Sequence, residues 1–265
     1  HTRVTFDRAE WGTLLLVRNA TAKNGRGGLA ELFALGPADM PFGKLRQMIW
    51  LAALHGVSEY VLAVSPLDAR GNLIKRQYFT AFTPVQTWFE QLPLVAEDST
   101  RAAEIARAGF GPGVVIHYPW SLACEDAGRN MLGKKAQARS GMLYQVAKAL
   151  IGNRWPVRMI DEGSPVPGDA LAAVTITAEA ILLAAPGGKK AEVQSVDQVT
   201  GWMDRNVRRP FQVTGNLEPG NVLAEHLADG RICLLNLTDQ DLVGLKLQMP
   251  SSKVCLRRTS GDMRI

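Results

Sequence analysis

With 265 residues, 46% of them apolar and 21% charged, the chain has the composition of an ordinary folded protein and length for two domains of typical size. No apolar run approaches the roughly 20 residues that span a bilayer; the longest, Ala178 to Pro186, is broken by Glu179 and has strand length, so no membrane partner is expected. The net charge of +5 is scattered over isolated pairs, Lys134-Lys135, Lys189-Lys190, Arg208-Arg209 and Arg257-Arg258, without interleaved aromatics. That pattern argues against a nucleic-acid partner, since phosphate binders gather such charge on one face.

The opening His1-Thr2-Arg3-Val4-Thr5 lacks the basic-then-apolar pattern of a signal peptide. A signal already cleaved from a longer precursor is compatible with this, and a periplasmic or secreted location is expected ahead of a cytoplasmic one. Residues 8–24 place Trp11, Leu14, Leu15 and Ala22 at helical spacing and end at the Asn24-Gly25 breaker. Gly27 to Phe33 reads as a short buried strand with one carboxylate, Glu31, near its end, followed by a loop at Gly36-Pro37-Ala38-Asp39-Met40-Pro41. Residues 43–55 return to helical period, with Leu45, Met48, Ile49, Ala52 and Ala53 on one face and Gly56 as the stop. Val57 to Val64 follows as a second strand, apolar enough to be covered on both faces. Strand, loop, helix and strand at this spacing make the βαβ unit of a parallel sheet.

Residues 66–95 have no clear period and carry Tyr78, Phe79, Phe82, Trp88 and Phe89 among prolines, as a long loop over a sheet end would. A short helix is expected at 98–108, capped by Asp98 or Ser99 and closed by Gly109. A second α/β pattern then begins. Gly113 to Tyr118 is a buried strand ending at Pro119-Trp120, residues 134–151 are a helix, and Val157 to Ile160 is a strand with Asp161 at its end. Ala180 to Ala185 is a further strand, residues 192–206 a helix, and Phe211 to Thr214 a short closing strand. The alternation points to a doubly wound open sheet, flavodoxin-like in order. In the tail, Leu223 to Ala228 and Arg231 to Leu237 flank Asp229-Gly230 as a hairpin with a type I′ turn, and strands are expected at Leu245 to Met249 and Lys253 to Arg258.

Few residues carry chemistry. Cys124, Cys233 and Cys255 have no CxxC spacing, and His55, His117 and His226 lie far apart without ligand spacing, so no metal site and no cofactor are expected. Cys233 alternates with apolar neighbours and reads as a buried thiol. Gly187-Gly188-Lys189-Lys190 has neither phosphate-loop spacing and reads as a turn. Glu31 is the sharpest candidate, because barrel enzymes place catalytic groups at the carboxyl ends of parallel strands. Glycoside hydrolysis needs a pair of carboxylates, one to protonate the leaving oxygen and one to attack or to activate water. Trp88 and Trp120 are candidates for substrate binding, since an indole packs against the apolar face of a sugar ring.

The order Gly27-Gly28-Leu29-Ala30-Glu31-Leu32-Phe33-Ala34, Lys44 to Trp50, Leu54-His55-Gly56-Val57-Ser58 and Asp68-Ala69-Arg70-Gly71 resembles the last two βα units of large glycoside hydrolases of the rhamnosidase-like and β-galactosidase-like group. In that group a (β/α)8 barrel is followed by a glutamine-amidotransferase-like domain and then β modules. Val114-Val115-Ile116-His117-Tyr118-Pro119 resembles the first strand of the amidotransferase-like domain. The resemblance implies a barrel remnant at 1–96, a flavodoxin-like amidotransferase-like domain at 97–215 and an antiparallel β module at 216–265. It implies a glycosidase acting on a glycan from plant or microbial polysaccharide, with Glu31, after the seventh barrel strand, as nucleophile or general base. The partner carboxylate, normally after the fourth strand, falls in no part of this chain, so the chain alone is expected to be inactive. Leu62-Ala63-Val64-Ser65 departs from the group in lacking the histidine often found after the eighth strand. Cys124, read as lying in a loop after Trp120 without flanking glycines, does not fit an amidotransferase nucleophile. The alternative is a non-catalytic scaffold or oligomerisation module with a degenerate amidotransferase-like domain. In either case the exposed barrel strands call for a cover, by self-association or by upstream polypeptide of the same protein.

Overall fold

The computed structural model describes residues 11–25, 27–32, 41–62, 70, 72, 87–129, 139–238 and 240–249. The fold is mixed α/β. Among the described residues there are one five-stranded and three two-stranded sheets, and none closes into a barrel. The chain divides into two compact units, one centred on residues 21–109 and the other on residues 10–20 and 110–252. The first helix, α1 (Trp11–Asn24), is divided between them.

In the first unit, β1 (Gly28–Leu32), α2 (Phe42–Ala53) and β2 (Val57–Leu62) form the expected βαβ unit, with β1 and β2 parallel and Glu31 opposite Val61. Leu45, Ile49, Ala52 and Ala53 of α2 are buried, and Gly56, at φ +88°, lets the chain turn from the helix into β2. The Tyr60 hydroxyl lies 3.0 Å from the Ile49 carbonyl and 2.9 Å from the Val57 carbonyl, tying strand to helix. α3 (Leu92–Arg107) packs against α2 and β2. It begins six residues before the expected start at Asp98, because Pro93 sits in its first turn, where the missing N–H has no helical partner to lose. Asp98 is therefore no cap. It is buried mid-helix and accepts two hydrogen bonds from the Arg46 guanidinium, with Nη2 at 3.2 Å from Oδ1.

β1 is not the buried strand expected, and β2 is not covered on both faces within the described residues. Leu32 is buried, but Leu29 is 63% and Val61 45% exposed, and Glu31 and Glu59 share their face. Among the described residues, helices cover one side of this two-stranded sheet.

In the second unit β3 (Val114–His117) leads through α4 (Trp120–Gly128) and α5 (Met142–Gly152) to β4 (Val157–Ile160). Three strands follow, β5 (Ala172–Ile176), β6 (Ile181–Ala185) and β7 (Lys189–Val193), then α6 (Val196–Asn206). The sheet order is β4-β3-β5-β6-β7, with β3 parallel to β4 and β5, and β5, β6 and β7 antiparallel in turn. Only the first three strands follow the expected parallel pattern; β6 and β7 add an antiparallel extension. The passage from β4 to β5 contains no helix, so residues 161–171 form an extended strap, anchored by the Arg158–Asp169 pair at 2.9 Å. β5 and β7 carry no strand signal in the sequence reading. One is rich in alanine, and the other begins Lys189-Lys190 as a charged edge strand should. α5 and α6 pack on each other and on β4, β6 and β7, over a core that includes Ile116, Val174, Leu183 and Trp155. α6 starts at Val196, four residues later than expected, behind a Ser195/Gln198 capping box.

β8 (Gln212–Thr214) pairs with β11 (Lys246–Gln248), and β9 (Val222–His226) with β10 (Ile232–Asn236). The β9–β10 hairpin forms as expected, but its turn is not type I′. Gly230 has φ +86° while Asp229 does not enter the left-handed region, so the loop is a type I turn closed by a left-handed glycine. The strand expected at Lys253 to Arg258 lies outside the described residues.

Candidate functional site

Glu31 is the penultimate residue of β1, at its carboxyl end and exposed. Alternation along β1 places Leu29 and Glu31 on the side away from α2 and α3, and register brings Glu59 and Val61 onto the same side. Glu59 is a carboxylate the sequence reading passed over. It pairs with Leu29, two residues further from the carboxyl edge than Val61, which leaves about 8 Å between the Glu31 and Glu59 backbones from strand rise and spacing. Trp88 belongs to the same unit, is 5% exposed and stacks at 5.9 Å on Phe42. Its indole is committed to packing between the start of α2 and the 3-10 turn before α3.

Trp120 belongs to the second unit. It opens α4 directly after β3 and is 62% exposed. The Tyr118 ring stands beside it at 5.6 Å, tilted by 42°. Next to it, Ser121 donates from its backbone N–H at 2.7 Å and from its hydroxyl at 2.9 Å to the same oxygen, Oε2 of Glu162 in the strap after β4. The neighbouring Asp161 accepts from Asn19 Nδ2 of α1 at 2.8 Å. Below them His117, the last residue of β3, is held on both nitrogens. Nε2–H donates to the Ser164 carbonyl at 3.1 Å, so Nδ1 accepts from the Thr175 hydroxyl at 3.0 Å. This arrangement makes His117 a structural bracket between β5 and the strap rather than a free base.

Cys124 lies in α4 and not in a loop, and it is exposed. It occupies the middle of a regular helix instead of a sharp strand-to-helix elbow, and no described histidine bonds to it. Cys233 is half-buried in β10, where burial pushes its thiol up to about 11, away from thiolate chemistry. Cys255 lies outside the described residues. Gly187 and Gly188, both with φ near +80°, form the turn between β6 and β7. Among the described residues no three His, Cys, Asp or Glu side chains converge as a metal site would require, and no helix is long and apolar enough to cross a membrane.

Tyr118, Ser121 and Glu162 were not singled out from sequence. The one signal for the Ser121–Glu162 contact is architectural: both residues follow parallel strands that become neighbours, and so meet at the carboxyl edge of the sheet. Compared with protein-family models, curated proteins and solved structures, the chain matches none of them.

Proposed function

We propose that the first unit is the last part of a (β/α)8 barrel in a glycoside hydrolase, with Glu31 as its nucleophile or general base. The observation that carries this reading is the position of Glu31. It sits at the carboxyl end of a parallel strand, on the sheet face that no helix covers among the described residues. Parallel strands are ordinarily covered on both sides. In a barrel the helix-free side faces the interior, and carboxyl-end residues on that side line the active site. Leu29 and Val61 would then meet side chains from the remaining strands, supplied by polypeptide outside the described residues. Those strands would also bring the second carboxylate that glycoside hydrolysis needs. Glu59 is not assigned that role, because it lies below the carboxyl edge at which the substrate would sit.

A non-catalytic second unit accompanies this reading. The exposed mid-helix position of Cys124 is that of no activated nucleophile, which supports a unit without amidotransferase activity.

The test is hydrolysis of a panel of aryl glycosides by the chain alone and by the chain joined to the polypeptide encoded before His1. The chain alone should stay at background, since one carboxylate of the pair is missing and general acid–base help is worth roughly 10²–10⁴-fold. The longer protein should turn over at least one glycoside and lose that activity in Glu31→Gln. Activity of the longer protein that is indifferent to Glu31→Gln refutes the assignment, and turnover by the chain alone refutes the fragment reading.

A further inference from the structure

We infer that the carboxyl edge of β3 and β4 is a binding platform for a neutral saccharide, on which Trp120 stacks against a sugar ring and Glu162 accepts hydrogen bonds from its hydroxyls. The inference concerns the second unit and does not depend on a catalytic role for Glu31.

Topology comes first. β3 lies between β4 and β5, all three parallel, so the segments leaving β3 and β4 emerge side by side at one carboxyl edge of the sheet. In open α/β sheets, ligands bind outside the carboxyl ends of the strands. Trp120 is placed there by the immediate passage from β3 into α4, and it presents most of a large indole to solvent. Tyr118 at 5.6 Å holds one flank of that ring.

The polar partner is equally placed. Glu162 has one oxygen, Oε2, fixed by both Ser121 donors, which orients the carboxylate beside the indole and leaves Oε1 to accept from an incoming group. The strap that carries Glu162 is pinned two residues on, where His117 donates to the Ser164 carbonyl. A positioned acceptor beside an open aromatic face is the combination of apolar body and few convergent polar groups that a small-molecule site uses.

The charge of this edge narrows the ligand. Asp161 and Glu162 disfavour phosphates and carboxylates. A quaternary ammonium would want an enclosed aromatic cage, whereas Trp120 and Tyr118, tilted by 42°, form an open wall. A pyranose ring satisfies both halves, with its C–H face on the indole and hydroxyls toward Oε1.

Isothermal titration of the whole chain with cellotetraose, xylotetraose, mannotetraose and maltotetraose tests this, with choline as a separate arm. At least one tetrasaccharide should bind with Kd below 10 mM. Trp120→Ala should weaken that binding by at least tenfold and Glu162→Gln several-fold, with circular dichroism unchanged because both side chains are exposed. Glu31→Gln separates the two sites, and binding that survives it belongs to the platform. No binding by any tetrasaccharide, binding indifferent to Trp120→Ala, or binding of choline alone would each overturn the inference.

Discussion

The ion pair between Arg18 of α1 and Glu225 of β9 offers a sharp energetic test. Its atoms are 2.7 Å apart, both side chains are at most 2% exposed, and the Arg18 guanidinium also lies 3.9 Å above the Phe110 ring. Burial pushes the Glu225 carboxyl up and the Arg18 guanidinium down, each against the pull of its partner, so desolvation outweighs the attraction between the two. Removing one side of such a pair strands the other charge and costs about 3–5 kcal/mol. Glu225→Gln should fall near the lower end, about 3 kcal/mol, because the amide oxygen still accepts from Arg18 and the Phe110 contact survives. For a domain of this size that is a melting shift of roughly 6–12 °C. Arg18→Met strands the carboxylate instead. A carboxyl raised in the folded protein holds its proton where the unfolded chain has lost it, so Arg18→Met should lose stability as pH rises from about 4 towards 8. The double variant Arg18→Met/Glu225→Leu leaves no charge behind and should return to within about 1 kcal/mol of the parent. Urea unfolding followed by tryptophan fluorescence measures all three. A Glu225→Gln cost under about 1 kcal/mol, or a double variant as unstable as the sum of the singles, would show that the pair is not desolvated as described.

Three further outcomes are expected. Arg154 occupies the left-handed position, φ +62°, in a Schellman closure of α5 in which Trp155 N–H bonds to Leu150 O at 3.0 Å and Arg154 N–H to Ile151 O at 2.8 Å. Arg154→Gly should therefore stabilise by about 0.5–1 kcal/mol in urea unfolding, and a loss would mean that the Arg154 side chain contributes more than its backbone costs. Burial holds the His226 imidazole below its ordinary value, partly opposed by Asp229, so the unfolded chain binds the extra proton first. Stability should be present above the ordinary histidine value near 6.5 and fall as pH drops below it; His226→Gln should flatten that slope, and an unchanged slope would assign it to other groups. Iodoacetamide at pH 8 should label exposed Cys124 well before half-buried Cys233, with peptide mapping keeping Cys255 separate. Cys124→Ala should change stability by less than about 0.5 kcal/mol, and the opposite labelling order would refute the placement of the two thiols.

Where apolar periodicity and glycine punctuation agreed, the sequence was legible. β1, α2, β2, β3, β4 and the β9–β10 hairpin all lie where Leu45/Ile49/Ala52 spacing, the Gly56 stop and the Asp229-Gly230 turn put them. It failed where the sheet needed unusual strands. Ala172-Ala173-Val174 is buried in the middle of the sheet, where small side chains fit between layers, and Lys189-Lys190 belongs to an edge that charge protects. Without those two strands the antiparallel extension was invisible and the sheet looked doubly wound. Glu31 was legible as a strand-end carboxylate, and the exposure of Leu29 and Val61 follows from two parallel strands with nothing described opposite their second face. The Ser121–Glu162 contact bridges 41 positions, a separation at which local pattern carries no signal.

The division of α1 has a consequence for synthesis. Residues 10–20 belong to the second unit, the chain then builds the first, and it returns to the second only at Phe110. As the chain emerges, Arg18 precedes Phe110 by 92 positions and its ion-pair partner Glu225 by 207. The second unit must close a long loop, at an entropic cost that grows only slowly with its length. Its assembly depends on contacts distant in sequence, which slows folding. A fragment begun at Phe110 to isolate the second unit would lack Arg18 and leave Glu225 buried without its counter-charge. The second unit is thus one folding entity written in two separate stretches of the gene.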